Sequence, residues 1–214
     1  LNARCPIHVF IVEDHPLIVH GVSALIEQEP DIKSCGFADN CKDALRLIKD
    51  CRPDVILLDL FLGDEFALDL IISVKEFSDS IQVLVLTACD ELEYARRCLQ
   101  SGAVGFIQKS SDGEEVMQAI RDAASGKLVF SERAQEQMIR ALGASGSRDV
   151  DLLSNRELQV FRMLGLGMTT RQIATALDRS VKTIESHRER IKRKMELETA
   201  AELTHAAIEW VVKS

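Results

Sequence analysis

The segment Asp54-Val55-Ile56-Leu57-Leu58-Asp59 constrains the fold of this chain more than any other. Its apolar stretch is too short and too β-branched for a helix, and reads as a strand buried on both faces of a parallel sheet. Three similar runs end in polar residues. Ile7-His8-Val9-Phe10-Ile11-Val12 leads into Glu13-Asp14, Ile81-Gln82-Val83-Leu84-Val85-Leu86 into Thr87, and Val104-Gly105-Phe106-Ile107-Gln108 into Lys109. Ile32 to Ala38 is a weaker strand. Amphipathic stretches separate the strands: 16–29, with Leu17, Val22, Leu25 and Ile26 at helical spacing, and 41–51, with Ala44, Leu45 and Ile48 inward. Further helices are expected at 65–77, at 91–100 with Gly102 as its cap, and at 112–124, halted near Gly126. Five strand–helix units imply an α/β fold: one doubly wound, five-stranded parallel sheet with right-handed crossovers.

Past residue 126 the pattern changes. Residues 131–142 read as a connector helix, and Gly143-Ala144-Ser145-Gly146-Ser147, small and polar, as a flexible linker. Four helices and no strand follow, at 155–165, 170–177, 181–195 and 199–212, with Ser154 and Glu157 forming a capping box at the first. The expected organisation is an α/β domain over 1–126, a connector and linker over 127–150, and an all-α domain over 151–214.

A length of 214 residues suits two modest domains, each able to bury a core. The apolar stretches are strand-sized, so no membrane span is expected. Leu1-Asn2-Ala3-Arg4-Cys5-Pro6 leads straight into the first strand, so no secretory leader is expected, and a start at Leu points to a few missing native residues. The six cysteines form no CxxC pair, which favours reduced cytosolic thiols that pack as small hydrophobes. Cys89, close to Thr87, is the one to check for redox sensitivity. Residues 1–147 hold 14 Lys/Arg against 24 Asp/Glu, a net of −10, while 148–214 hold 12 against 10, a net of +2. Seven basic residues against two acidic ones fall within 179–194, a stripe that points to nucleic acid.

Residues that follow buried strands share the carboxyl rim of the sheet, where open α/β folds place their chemistry. Glu13, Asp14 and Asp59 offer hard oxygens that suit Mg²⁺. An aspartate beside such a cation is a competent nucleophile toward a phosphoryl group, with Thr87 and Lys109 placed to contact the transferred oxygens. Taken singly these residues are unremarkable: an Asp at a strand end is often a helix cap, and a lone Lys109 is a surface lysine. Their combination at four successive rim positions carries the reading. His15, beside the acids, is expected to pack the loop, and Tyr94 to lie on the surface.

The order Glu13-Asp14, Asp59, Thr87, Lys109, with Gly102-Ala103-Val104-Gly105-Phe106 before the lysine, resembles the receiver domain of bacterial two-component response regulators over about residues 6–126. The resemblance implies Asp59 as acceptor of a phosphoryl group from a histidine kinase. It implies Glu13, Asp14, Asp59 and the backbone carbonyl of Phe61 as Mg²⁺ contacts, and Thr87 with Phe106 as a switch pair. Gly63 stands where the family usually has proline, which implies a more mobile loop, and Ala67 replaces a common glycine. The ring of Phe61 is placed to shield an acyl phosphate from water.

Val181, Ile184, Ile191 and Met195 share one helical face that should be buried, leaving Lys182, Glu185, Ser186, Glu189 and Arg193 outward. The helix at 170–177 joins this one through Asp178-Arg179, a turn short enough for a helix-turn-helix, with Ser180 as N-cap. Leu153-Ser154-Asn155-Arg156-Glu157, Gly167-Met168-Thr169-Thr170-Arg171-Gln172-Ile173-Ala174 and Ser180-Val181-Lys182-Thr183-Ile184-Glu185-Ser186-His187 resemble the LuxR-type (NarL/FixJ) DNA-binding domain. That resemblance implies Lys182 and Thr183 on phosphates, with Glu185, Ser186, Arg188 and Glu189 as base readers of double-stranded DNA. It also implies His187 as a structural residue and the last helix as the contact of a homodimer. The usual Asn-Lys before Ile-Ala is Arg171-Gln172 here.

The whole reads as a cytoplasmic two-domain response regulator, not an enzyme. An aspartyl-phosphate phosphatase is one rival, though such enzymes want an acid where Phe61 stands. A phosphorylation-independent regulator with a dimerising receiver is the other.

Overall fold

A computed structural model describes residues 5–63, 65–143 and 149–213. The chain divides into two compact units, Leu1–Met138 and Ile139–Ser214. The expected linker residues 144–147 lie outside the described residues.

In the first unit strands β1 (Ile7–Val12), β2 (Ile32–Ala38), β3 (Val55–Leu58), β6 (Gln82–Thr87) and β7 (Gly105–Gln108) form one parallel sheet in the order β2-β1-β3-β6-β7. Alternate residues of each strand face opposite sides. Val9, Ile11, Val55, Leu57, Leu84, Leu86 and Ile107 pack with Val19, Val22 and Ile26 of α1 (Pro16–Glu27) and with Val116, Met117 and Ile120 of α5 (Gly113–Ala124). Helices α2 (Cys41–Cys51), α3 (Leu68–Phe77) and α4 (Glu91–Ser101) pack in sequence beside one another. Arg121 of α5 binds both carboxylate oxygens of Asp31 at 2.9 Å, tying α5 to the turn that enters β2. Helix α6 (Glu132–Gly143) follows.

The five-stranded α/β fold and the later helices match expectation, with local differences. Glu65 does not open a helix. Phe61–Leu62 (β4) and Glu65–Phe66 (β5) form a small antiparallel hairpin, and α3 begins only at Leu68. Leu17 is 86% exposed, and Val19 takes its place in the core, because Val19, Val22 and Ile26 share the buried helical face and Leu17, two positions before Val19, falls on the opposite side. Tyr94 is buried, not superficial: its ring meets Phe61 and Phe66 edge-on, with centroids 5.8 and 6.1 Å away.

In the second unit a 3₁₀ turn (Asp149–Leu152) precedes α7 (Asn155–Gly165), α8 (Thr170–Ala176), α9 (Val181–Lys194) and α10 (Ala200–Lys213). The Ser154–Glu157 capping box is present, and Thr169–Gln172 makes a second at α8. Leu158, Phe161, Leu164, Ile173, Ile184, Ile191, Leu203 and Ala207 are buried. Close packing of α7 on α10 requires Gly165, where a Cβ would meet the Ala207 carbonyl and Val211. Val181 is exposed rather than buried, because it is the first residue of α9 and projects from its end; Met195 is half-buried.

Candidate functional site

The strand order reverses beside β1, so the carboxyl ends of β1 and β3 flank the topological switch point where open parallel sheets bind ligands. Glu13 and Asp14 follow β1, and Asp59 follows β3 with its N–H donating to the Val12 carbonyl at 2.9 Å. Glu13 and Asp59 are buried. Lys109, delivered by β7, places its Nζ 2.6 Å from Glu13 Oε2 and 2.8 Å from Asp59 Oδ2. Burial pulls the Lys109 ammonium's pKa down, but its bonds to Asp59 and Glu13 outweigh this and raise it. Thr87, the last residue of β6, is buried, and its carbonyl accepts from the Lys109 N–H at 2.9 Å.

One ligand atom from each of Glu13, Asp14, His15 and Asp59 lies within 4.8 Å of the others. Asp59 Oδ1 and Asp14 Oδ1 are buried without a hydrogen-bond partner. Asp14 Oδ1 does lie 2.9 Å from His15 Nδ1, a contact in distance but not in hydrogen-bond geometry. Hard oxygens with unused lone pairs, gathered at one point, fit a small divalent cation. His15 does not pack the loop as expected. Its ring is exposed, and Nδ1 stands 3.0 Å from Glu13 Oε1, a bond that with the Asp14 charge raises its pKa.

Gly63, at φ +58°, donates its N–H to Asp14 Oδ2 at 2.7 Å. Proline could neither adopt that φ nor donate, so glycine at this position gives Asp14 a hydrogen bond that the family's usual residue would not. The Phe61 ring stacks on Phe66 at 4.9 Å. Phe106 is buried in β7, and its N–H donates to the Val129 carbonyl at 2.7 Å. Sequence reasoning missed that role for Val129, which bridges Gly105 in parallel as an added edge of the sheet.

In the second unit α8 and α9 meet through a turn with Asp178 at φ +48°. Ser180 caps α9 by accepting from the Thr183 N–H at 3.1 Å. Lys182, Glu185, Ser186 and Glu189 are exposed together, as are Arg179, Arg190 and Arg193. Thr183 and Arg188 are engaged within the unit: the Thr183 hydroxyl bonds that of Ser180 at 2.8 Å, and Arg188 Nη1 donates to Thr170 Oγ1. Glu189 pairs with Lys192 at 2.9 Å. Lys194 is drawn off the basic stripe, with Nζ 2.7 Å from Glu157 Oε2 and 3.0 Å from the Leu152 carbonyl. His187 Nδ1 is buried without a partner, and burial, then Arg190, lowers its pKa.

Residues 9–121 match the response regulator receiver domain, and residues 151–207 the bacterial regulatory proteins of the luxR family. The chain is 31% identical over 200 residues to the nitrate/nitrite response regulator protein NarL of Escherichia coli (strain K12), spanning 92% of this chain and 93% of that protein. It is 33% identical over 201 residues to the nitrate/nitrite response regulator protein NarP of the same strain, spanning 93% of each. The RcsB response regulator of Salmonella typhimurium shares the fold, with a TM-score of 0.70 at 22% identity over 96% of this chain and 98% of that one.

Proposed function

The chain belongs to the two-component response regulators that join a receiver domain to a LuxR-type DNA-binding domain, and on that premise we propose that Asp59 is its phosphoacceptor. It is a DNA-binding regulator of transcription, and it works in the cytoplasm, where a sensor histidine kinase and the DNA are both within reach. The observation that carries the assignment is Asp59 itself: buried at the switch point, held through Oδ2 by Lys109, with Oδ1 unpartnered.

The Asp59 carboxylate attacks the phosphorus of a phosphohistidine; a P–O bond forms as the P–N bond breaks. Lys109 shifts from the carboxylates to the transferred oxygens, and Thr87 closes on them from the end of β6. Phe106 follows Thr87 inward as its switch partner. Glu13, Asp14, Asp59 and the Phe61 carbonyl would hold Mg²⁺, which would offset the negative charge gathered there. In the second unit Lys182 and Thr183 contact phosphates, while Glu185, Ser186, Arg188 and Glu189 face base edges in the major groove. Arg188 must exchange Thr170 for a base to do so. Homodimer formation through α10 pairs two recognition helices.

Incubation of the full chain with acetyl phosphate and Mg²⁺ tests the assignment. Phosphate incorporation is expected in the wild type and absent in Asp59→Asn, whose amide cannot act as the nucleophile. Incorporation at the wild-type rate in that variant overturns it.

A further inference from the structure

We propose that Cys35 and Cys51 are a modification site: a thiol pair that closes to an intramolecular disulfide when the protein meets hydrogen peroxide. The pair is created by a bulge. Strand β2 pairs Ser34 with Val9 and then Gly36 with Phe10, leaving Cys35 as the extra, unpaired residue. A bulge of this kind re-aims the side chain it carries. Gly36, at φ +150°, permits the close passage, since a Cβ there would stand 3.0 Å from the Phe10 ring. The Cys35 Sγ is thereby brought 3.4 Å from the Val9 carbonyl and 3.6 Å from the Sγ of Cys51.

Cys51 is set from the other side. It is the last residue of α2, which Arg52 ends in the left-handed region at φ 46° while donating its N–H to the Ile48 carbonyl at 2.9 Å. Two separate backbone devices, a strand bulge and a helix cap, therefore converge on one sulfur–sulfur contact. The S–S bond is about 2.0 Å long, so a small approach of the two side chains closes it. Both cysteines are partly exposed, which admits a small oxidant. Cys98, by contrast, is buried.

Burial, then the bond to Cys51, pushes the Cys35 thiol up to about 12. The Cys51 sulfur attacks one peroxide oxygen; an S–O bond forms, the O–O bond breaks, and the thiol proton leaves with hydroxide as water. The Cys35 sulfur then attacks the sulfenic sulfur of Cys51; an S–S bond forms, the S–O bond breaks, and the Cys35 proton leaves with hydroxide as a second water. Two thiols lose two electrons and one peroxide gains them. The pair lies clear of the acidic rim. Cys51 precedes Asp54, whose Oδ2 accepts from the His8 N–H at 2.7 Å near the start of β1, whereas Glu13 and Asp59 follow the far ends of their strands.

The test treats the full chain with hydrogen peroxide, alkylates the remaining thiols, and maps peptides by mass spectrometry without reduction. A Cys35–Cys51 linked peptide, lighter by two hydrogens than its parts, is expected, and dithiothreitol should restore both thiols. Cys41→Ser and Cys89→Ser should retain the link. Cys51→Ser should lose it and leave Cys35 open to alkylation. The proposal is overturned if peroxide-treated wild type still alkylates fully at both positions, or if Cys35 links to a different cysteine.

Discussion

Glu157 closes a capping box and an inter-helix ion pair with one carboxylate, accepting from the Ser154 N–H at 2.8 Å and from Lys194 Nζ at 2.7 Å. Burial pushes this carboxyl up; Lys194 and Ser154 together more than reverse it and hold it below the usual glutamate range. As pH falls, the unfolded chain therefore takes up the proton before the folded one does. The stabilisation is present at neutral pH and is lost between the ordinary glutamate range and the lower folded value. Trp210, the single tryptophan of the chain, packs against Phe161 and reports on this unit. Urea unfolding followed by its fluorescence should show the loss on acidification. Glu157→Gln keeps a cap but not the ion pair, and should cost about 2 kcal/mol at neutral pH while removing this part of the acid slope. An unaltered slope in the variant would assign the effect to other groups.

Elements show the same dependence on single close approaches. At Gly105 a Cβ would stand 2.6 Å from Leu84 Cδ1, 2.6 Å from Val129 Cβ and 2.8 Å from the Val129 carbonyl. The backbone atom cannot yield without breaking the Phe106–Val129 bond. Gly105→Ala should therefore destabilise the first unit by about 2 kcal/mol, with the thermal midpoint followed by circular dichroism. A midpoint equal to wild type means that the Val129 edge gives way freely. On α9 the exposed face divides by chemistry. Lys182→Ala should weaken binding to every DNA sequence alike, and Glu185→Ala should change which sequence is preferred. Binding selections on randomised duplexes separate the two, and a uniform loss at Glu185 makes it a structural residue.

For the whole molecule, charge and valency act together. The stretch 1–147 carries a net of −10 and 148–214 only +2, so a single copy brings weak attraction to DNA. Two copies on adjacent half-sites gain effective concentration from being joined. Phosphorylation is expected to raise operator affinity chiefly by favouring the dimer, with affinity falling steeply as salt rises. Sedimentation and DNA titration, each with and without a phosphoryl mimic, measure both quantities. A protein that stays monomeric and binds DNA unchanged would sink this mechanism. Among the described residues no helix is long and apolar enough to cross a membrane.

What the amino-acid sequence determined by itself was everything that depends on local period and order. Apolar runs punctuated by polar residues declared five parallel strands, and their order placed Glu13, Asp14, Asp59, Thr87 and Lys109 on one rim. The Ser154–Glu157 capping box marked the start of α7, and Ser180 marked the start of α9. Tertiary structure alone decided which groups are already spoken for. Tyr94 is buried because Phe61 and Phe66 meet its ring, and Lys194 leaves the basic stripe because Glu157 lies beside it. Gly63 holds Asp14 across a separation of 49 positions, and Cys35 reaches Cys51 through a bulge that depends on its pairing with β1. Periodicity is written into neighbouring residues. These contacts join residues from different elements, and each appears only once the chain has closed.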